Sequence, residues 1–146
     1  MTLDPTRVGP RLRVLDVLER RVREVVGDRG TVERSEIGYD WDVLEVTPSR
    51  PDARAITISS EDRLLVMLGR DTGHFSVTYD DDGIAMATAL MEATIAGHII
   101  EHPSWLGMRV TVRLADGRRR STYAFAVPPV LFGKRRNVPI RRYVAY

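Results

Sequence analysis

The chain has 146 residues, 43% of them hydrophobic and 29% charged, which is typical of a single globular domain with its own core. It contains no cysteine, so disulfides, thiolate nucleophiles and cysteine-ligated zinc or iron–sulfur sites are excluded. The first residues show no apolar secretion signal, and the longest mostly apolar stretch, residues 84–100, is interrupted by Glu92 and His98. We therefore expect a cytoplasmic protein that does not contact a membrane.

The formal net charge of +2 conceals a division of charge along the chain. Residues 1–108 contain 12 Arg and 19 Asp or Glu, a balance of −7, whereas residues 109–146 contain 9 Arg, one Lys and one Asp, a balance of +9. Codon bias can explain why the chain has 21 Arg and one Lys, but it does not explain why ten basic residues lie in the last 38 positions. Such asymmetry can mark an interaction surface.

The first half of the chain predicts one helix followed by several strands. Apolar residues recur at steps of three and four over residues 9–27, which predicts an amphipathic helix that Pro10 can start and Gly27 can end. Residues 31–80 then read as four or five short strands separated by turn-forming residues such as those at 48–51. Because no helical segment lies between these strands, we expect antiparallel hairpins.

The second half predicts a buried helix and more strands. Residues 82–101 form the predicted helix, which is apolar on nearly every side and is therefore expected to lie against a sheet face. Residues 108–127 alternate about a favoured Asp116-Gly117 turn and predict a hairpin. The last residues, RRYVAY, predict an edge strand whose arginines prevent edge-to-edge association. The predicted fold is a single α+β domain, with one antiparallel sheet of about six to eight strands and both helices on one face.

Two histidines give the strongest hint of metal chemistry. His98 and His102 are four residues apart on the predicted second helix, and with Glu101 they form the H-x-x-E-H pattern of inverted zinc peptidases. A metal-dependent hydrolase is therefore an alternative, although a third ligand would have to come from a distant residue such as His74 or Glu92. Histidines near a helix C-terminus also interact favourably with the helix dipole. No nucleophile motif is present, and we expect no catalytic residue, no metal and no other cofactor.

The main functional hypothesis is a non-enzymatic protein-binding module, similar to an immunity protein, a chaperone or an adaptor. It would bind a basic protein through carboxylates that lie at turns and on one strand: Asp40, Asp42, Glu45, Asp80, Asp81 and Asp82. Asp is also favoured at turns because it bonds to the backbone there. A homodimer, in which the acidic region of one copy meets the basic tail of another, is a further expectation.

The alternative hypothesis is a protein that binds nucleic acid or phosphate through its Arg-rich C-terminal region. The candidate residues are Arg118, Arg119, Arg120, Lys134, Arg135, Arg136, Arg141 and Arg142. Tyr123, Phe132 and Tyr143 could add stacking contacts. The negative balance of residues 1–108 would repel a polyanion, and no nucleic-acid-binding motif is present. The sequence therefore favours a protein partner over nucleic acid.

Overall fold

The computed structural model describes residues 9–69, 73–104, 107–125 and 140–146. These residues form two helices and nine strands, which we number in chain order. They are α1 (Pro10–Val26), β1 (Gly30–Gly38), β2 (Trp41–Pro48), β3 (Ile56–Ser60), β4 (Leu64–Leu68), β5 (His74–Val77), α2 (Asp81–Ile95), β6 (Ile99–Ser104), β7 (Gly107–Arg113), β8 (Arg119–Phe125) and β9 (Arg141–Arg142). No helix in this part of the chain is long and apolar enough to cross a membrane.

The predicted α+β class with antiparallel pairing is confirmed, but the strands divide into two sheets. Sheet I has the order β1-β2-β3-β4-β5, and sheet II has the order β8-β7-β6-β9. All neighbours within each sheet are antiparallel. The sheets meet where the Thr122 hydroxyl of β8 donates a hydrogen bond of 2.9 Å to the His74 carbonyl of β5. In the described residues β5 and β8 are joined by this side-chain hydrogen bond and are not paired as neighbouring strands of one sheet. The strands therefore form two adjacent sheets and not the single sheet that was predicted.

The first helix forms as predicted. Pro10 occupies its first turn, and Gly27 ends it with a positive φ of 58°. Its apolar positions are buried in the core: Leu12, Val14, Leu15, Leu18, Val22 and Val26. The helix packs against α2 and against β2.

The second helix ends at Ile95, six residues before the predicted end. Asp80 caps its start, because the Asp80 carboxylate accepts a hydrogen bond of 2.8 Å from the Gly83 amide. Gly97 then adopts a positive φ of 78°, which terminates the helix. Residues 99–104 pair with β7 instead of continuing the helix. The predicted helical placement of the two histidines is therefore wrong.

One core unites both sheets and both helices. Side chains from α1, α2, sheet I and sheet II form a single buried cluster, including Leu18, Ile58, Leu90 and Val112. The C-terminal segment closes one side of this core, because Tyr146 is buried and its amide donates a hydrogen bond of 2.9 Å to the Ile95 carbonyl. The predicted C-terminal edge strand is present as the two residues of β9, which pair with β6.

Candidate anion-binding site

The outward-facing side of sheet II is rich in arginine. Successive residues of a strand point to opposite faces, and the side chains of Val110 and Val112 in β7 are buried in the core. Arg109, Thr111 and Arg113 of β7 therefore point outward. Cross-strand register brings further residues to the same side: Arg109 lies opposite His102 and Tyr123, Arg113 opposite Arg119, and Ile100 opposite Thr111 and Arg142. We call this surface the basic face, defined by His98, Ile100, His102, Arg109, Thr111, Arg113, Arg119, Tyr123 and Arg142.

A cavity of about 540 Å³ opens on the basic face. Its volume lies within the range of ordinary small-molecule pockets, about 300–1,000 Å³. It is lined by Gly97, His98, Ile99, Ile100, His102, Thr111, Arg113, Arg119, Arg142 and Tyr143. These residues include three arginines and two histidines and no carboxylate. The cavity therefore combines an apolar floor with a cationic rim.

The positive charge of the basic face is not neutralised within the described residues. Glu101, the acidic residue in the described strands of sheet II, is only 2% exposed and forms an ion pair with Arg54 on the core side. The Arg54 guanidinium also lies 5.0 Å from the centre of the Tyr143 ring. In the described ranges, neither Arg109 nor Arg113 forms a salt bridge. Among the residues that the structure describes, these two guanidinium groups therefore have no carboxylate partner.

Partial burial and the positive charge of the basic face both lower the pKa of His102. Its pKa lies below the ordinary value of 6.5, first because the side chain is partly removed from water and then because Arg109 and Arg142 repel a positive charge there. Arg109 faces His102 from β7 and Arg142 approaches it from β9. An anion bound between these groups would offset that repulsion.

The structure gives the predicted basic residues different positions. Arg119 and Arg142 belong to the basic face, whereas Arg118 forms an ion pair of 2.6 Å with Asp116 in the β7–β8 turn. Arg120 and Arg141 alternate with the outward-facing residues of their strands. Lys134, Arg135 and Arg136 lie outside the described residues.

Sequence reasoning did not assign four basic residues of this face to an anion-binding surface: Arg109, Arg113, His98 and His102, of which the two histidines were considered only as metal ligands. A signal for two of them existed in the stretch RVTVR, where alternation with buried valines already places both arginines on one side of a strand. For the histidines no such signal existed, because they were assigned to a helix.

The predicted acidic face is not one surface. Asp42 points into the core with Leu44 and is fully buried, whereas Glu45 lies on the opposite side of β2 and is exposed. Asp40 lies half-buried in the β1–β2 turn with a φ of 55°, and Asp80 caps α2. Asp81 and Asp82 are exposed in the first turn of α2. The prediction of an accessible Asp42 is therefore wrong.

Asp42 instead belongs to an ion-pair network around Arg34. The Arg34 side chain is 5% exposed, and its Nε donates a hydrogen bond of 2.8 Å to Asp42. Its Nη1 lies 2.5 Å from Asp16 and 3.0 Å from Glu19, both on α1. Burial alone would lower the pKa of Arg34, but the hydrogen bonds that Arg34 donates to the three carboxylates outweigh this effect and raise the pKa. The network joins α1 to the β1–β2 hairpin and is structural.

The alternative metal site at His98 and His102 loses the helical spacing on which it was based. His98 immediately precedes β6 and His102 lies within it, so an extended backbone separates them by about 13 Å. Glu101 points to the opposite side of the strand. Among the residues that the structure describes, no group of three or more His, Asp or Glu side chains is arranged to hold a metal ion.

The β1–β2 hairpin is the second exposed feature. At its tip Ile37 is 53%, Tyr39 95% and Trp41 39% exposed. The Trp41 indole N–H donates a hydrogen bond of 2.9 Å to Ser59 Oγ, which fixes the ring on the outer side of sheet I. We call these three residues the hairpin tip.

Comparison with protein-family models, curated protein sequences and solved structures finds no match to this chain.

Proposed function

We propose that the protein binds a phosphate-bearing ligand on the basic face. The observation on which this proposal rests is a cavity lined by three arginines, two histidines and no carboxylate, with Arg109 beside it on the same face. Guanidinium groups match the geometry of phosphate oxygens and form charge-assisted hydrogen bonds with them. This chemistry supports binding and does not require a catalytic group.

The distribution of charge in three dimensions removes the main objection to anion binding. The negative balance of residues 1–108 argues against a polyanion only if those carboxylates surround the arginines. Instead they lie mainly on the helices and sheet I, and the described strands of sheet II contain Glu101 alone, which faces the core. An anion can therefore approach sheet II without meeting the acidic part. We further propose a cytoplasmic location, where phosphate esters are abundant.

The Arg113→Gln variant tests this function. We expect the protein to bind ATP, measured by isothermal titration calorimetry, and the variant to bind it about tenfold more weakly, because a hydrogen bond to a charged group contributes about 1.5–3 kcal/mol. Arg20→Gln removes the same charge from an exposed position on α1 and should leave the affinity unchanged. Absence of binding to ATP, pyrophosphate and sulfate alike would overturn the proposal.

The pH dependence of the same interaction provides a second readout. A bound anion offsets the repulsion that Arg109 and Arg142 exert on His102, so its pKa is higher in the complex than in the free protein. At pH values between these two pKa values the complex binds more protons than the free protein, so the affinity should rise as the pH falls toward the pKa of His102 in the free protein, which lies below 6.5. Sulfate is the suitable probe because its own charge is constant there. The pH dependence should be weaker in the His102→Gln variant.

A protein-binding module is a second candidate function, and the hairpin tip favours it. Exposed aromatic side chains are frequent anchors of protein interfaces. Glu33 and Glu45, which lie opposite each other on the outer side of sheet I, are both exposed and would favour a basic partner. The basic face of a second copy offers such a surface, so a homodimer is the simplest form of this proposal.

The Tyr39→Ser variant tests the second candidate. If the hairpin tip mediates self-association, sedimentation at tens of micromolar should show a dimer that weakens with added salt, and Tyr39→Ser should reduce it. Tyr39 is almost fully exposed, so the substitution should leave folding intact. Val17→Ser provides a matched control, because it removes an exposed apolar side chain from α1. A monomer at every salt concentration would contradict the dimer.

A further inference from the structure

The basic face is larger than a single phosphate site. The cavity is lined by Arg113, Arg119 and Arg142, whereas Arg109 and Tyr123 lie on the same face outside its lining. Arg109 and Arg113 are four residues apart on β7, a separation of about 13 Å along the strand. Arg142 lies two strands away from β7, about 10 Å across the sheet. Cations distributed over these distances fit a ligand with several phosphates better than a single phosphate group.

Tyr123 supplies an aromatic surface beside these cations. It lies on β8 directly opposite Arg109, and its side chain is 53% exposed. A nucleobase can stack on such a ring, and an arginine at the next position can contact the adjacent phosphate. In the described part of the chain, no element packs over this ring.

The floor of the cavity suits a base or a sugar more than a phosphate. Ile100 is half-buried at the centre of the face, and next to it the Thr111 and Ser121 hydroxyls share a hydrogen bond of 2.9 Å. Basic side chains surround this floor on three sides: His98, Arg113 and Arg119 at one end, His102 at the other, and Arg142 on β9. The basic face thus places basic side chains, which can contact phosphates, beside apolar and aromatic side chains, which can contact bases.

We propose, on the basis of the function proposed above, that the ligand of the basic face is a single-stranded nucleic acid. Its phosphates contact Arg109, Arg113, Arg119 and Arg142, one base stacks on Tyr123, and a neighbouring base lies over Ile100. A duplex is disfavoured because its bases are already paired and stacked, so they cannot contact Tyr123. An exposed four-stranded antiparallel sheet provides the flat surface that this mode of binding needs.

Fluorescence anisotropy with the full-length protein and a labelled short oligothymidylate tests the proposal. We expect tighter binding to this strand than to ATP or to a duplex of equal length. The slope of log affinity against log salt should be about −3, because each phosphate contact of a single strand contributes about −0.7. Arg113→Gln should make the slope shallower by about 0.7.

The Tyr123→Leu variant separates stacking from charge. It should weaken binding of the oligothymidylate about tenfold without changing the salt slope, whereas Tyr123→Phe should bind as the unaltered protein does. Arg20→Gln on α1 should change neither quantity. Because Tyr123 is exposed, thermal unfolding of both Tyr123 variants should match that of the unaltered protein.

The other outcomes have distinct meanings. If ATP binds as tightly as the oligothymidylate and Tyr123→Leu has no effect, the phosphate-binding function stands and the nucleic-acid proposal is overturned. If the duplex binds as well as the single strand, or if phosphatidylserine vesicles bind and the oligothymidylate does not, the proposal is also overturned. If no phosphate-bearing probe binds at all, both proposals are wrong.

Discussion

Replacement of Arg34 by methionine is expected to lower the free energy of unfolding by about 3–5 kcal/mol, because it breaks the buried ion pair between Arg34 and Asp42. Asp42 is fully buried and accepts a hydrogen bond of 2.8 Å from Arg34. The Arg34 side chain is itself 5% exposed, so water does not replace the lost contact. Urea denaturation followed by circular dichroism measures the change.

Two comparison variants show whether the buried charge causes the loss. The double variant Arg34→Met with Asp42→Leu removes both charges and should recover most of the lost stability, since buried ion pairs replaced by apolar residues are often neutral. Arg23→Met removes an ion pair to Glu19 in which the arginine side chain is 50% exposed, and should cost under about 1 kcal/mol. If Arg34→Met costs no more than Arg23→Met, the Arg34–Asp42 pair does not stabilise the fold.

The parts of the fold that depend on local pattern were predictable. The helix α1 follows from the spacing of its leucines and valines together with Pro10 and Gly27, all of which are local signals. The β7–β8 hairpin follows from alternation about the Asp116-Gly117 turn, and Gly117 indeed has a positive φ of 85°. These elements need no knowledge of distant residues.

The end of α2 was not predictable from periodicity alone. Residues 95–101 have apolar side chains at spacings that suit a helix as well as a strand, and the choice depends on pairing with β7, which is distant in sequence. Gly97 was the available signal, because glycine commonly ends helices in a left-handed conformation. A Cβ atom there would lie 2.6 Å from the Ala145 amide nitrogen, so the returning C-terminal segment also favours glycine.

The candidate site was only partly predictable for the same reason. Arg119 and Arg142 stood out in the sequence because they lie in clusters of arginine. Arg109 and His102 share the same face, but they lie on strands whose neighbours the sequence does not specify. Conversely, Asp42 stood out as an acidic turn residue, although it lies in β2 facing Arg34. A cluster of charged residues in the sequence therefore indicates the sign of a surface charge and the part of the chain that carries it. Strand register decides which of these charges lie on the same surface.

The C-terminal segment contributes to the core, and one of its residues also belongs to the proposed binding surface. Tyr146 is 6% exposed, and its hydroxyl donates a hydrogen bond of 2.6 Å to the Arg54 carbonyl. Tyr143 packs beneath the Arg54 guanidinium, and Val144 forms a bridge with Ala53 between β2 and β3. Arg142, by contrast, points outward and lines the cavity. The apolar and aromatic residues therefore stabilise the core, whereas Arg142 lies on the basic face.

Replacement of Tyr146 by alanine is expected to lower the free energy of unfolding by about 3–5 kcal/mol, as truncation of a buried aromatic side chain does. Tyr146→Phe keeps the ring and removes one hydrogen bond, so it should cost about 1 kcal/mol. Deletion of residues 140–146 should cost more than Tyr146→Ala, because it also removes β9 and the ring above which Arg54 lies. Arg142→Gln should leave stability within about 0.5 kcal/mol, since the side chain is exposed, while it weakens ATP binding. A deletion variant that unfolds at the same urea concentration as the full chain would show that the segment does not stabilise the fold.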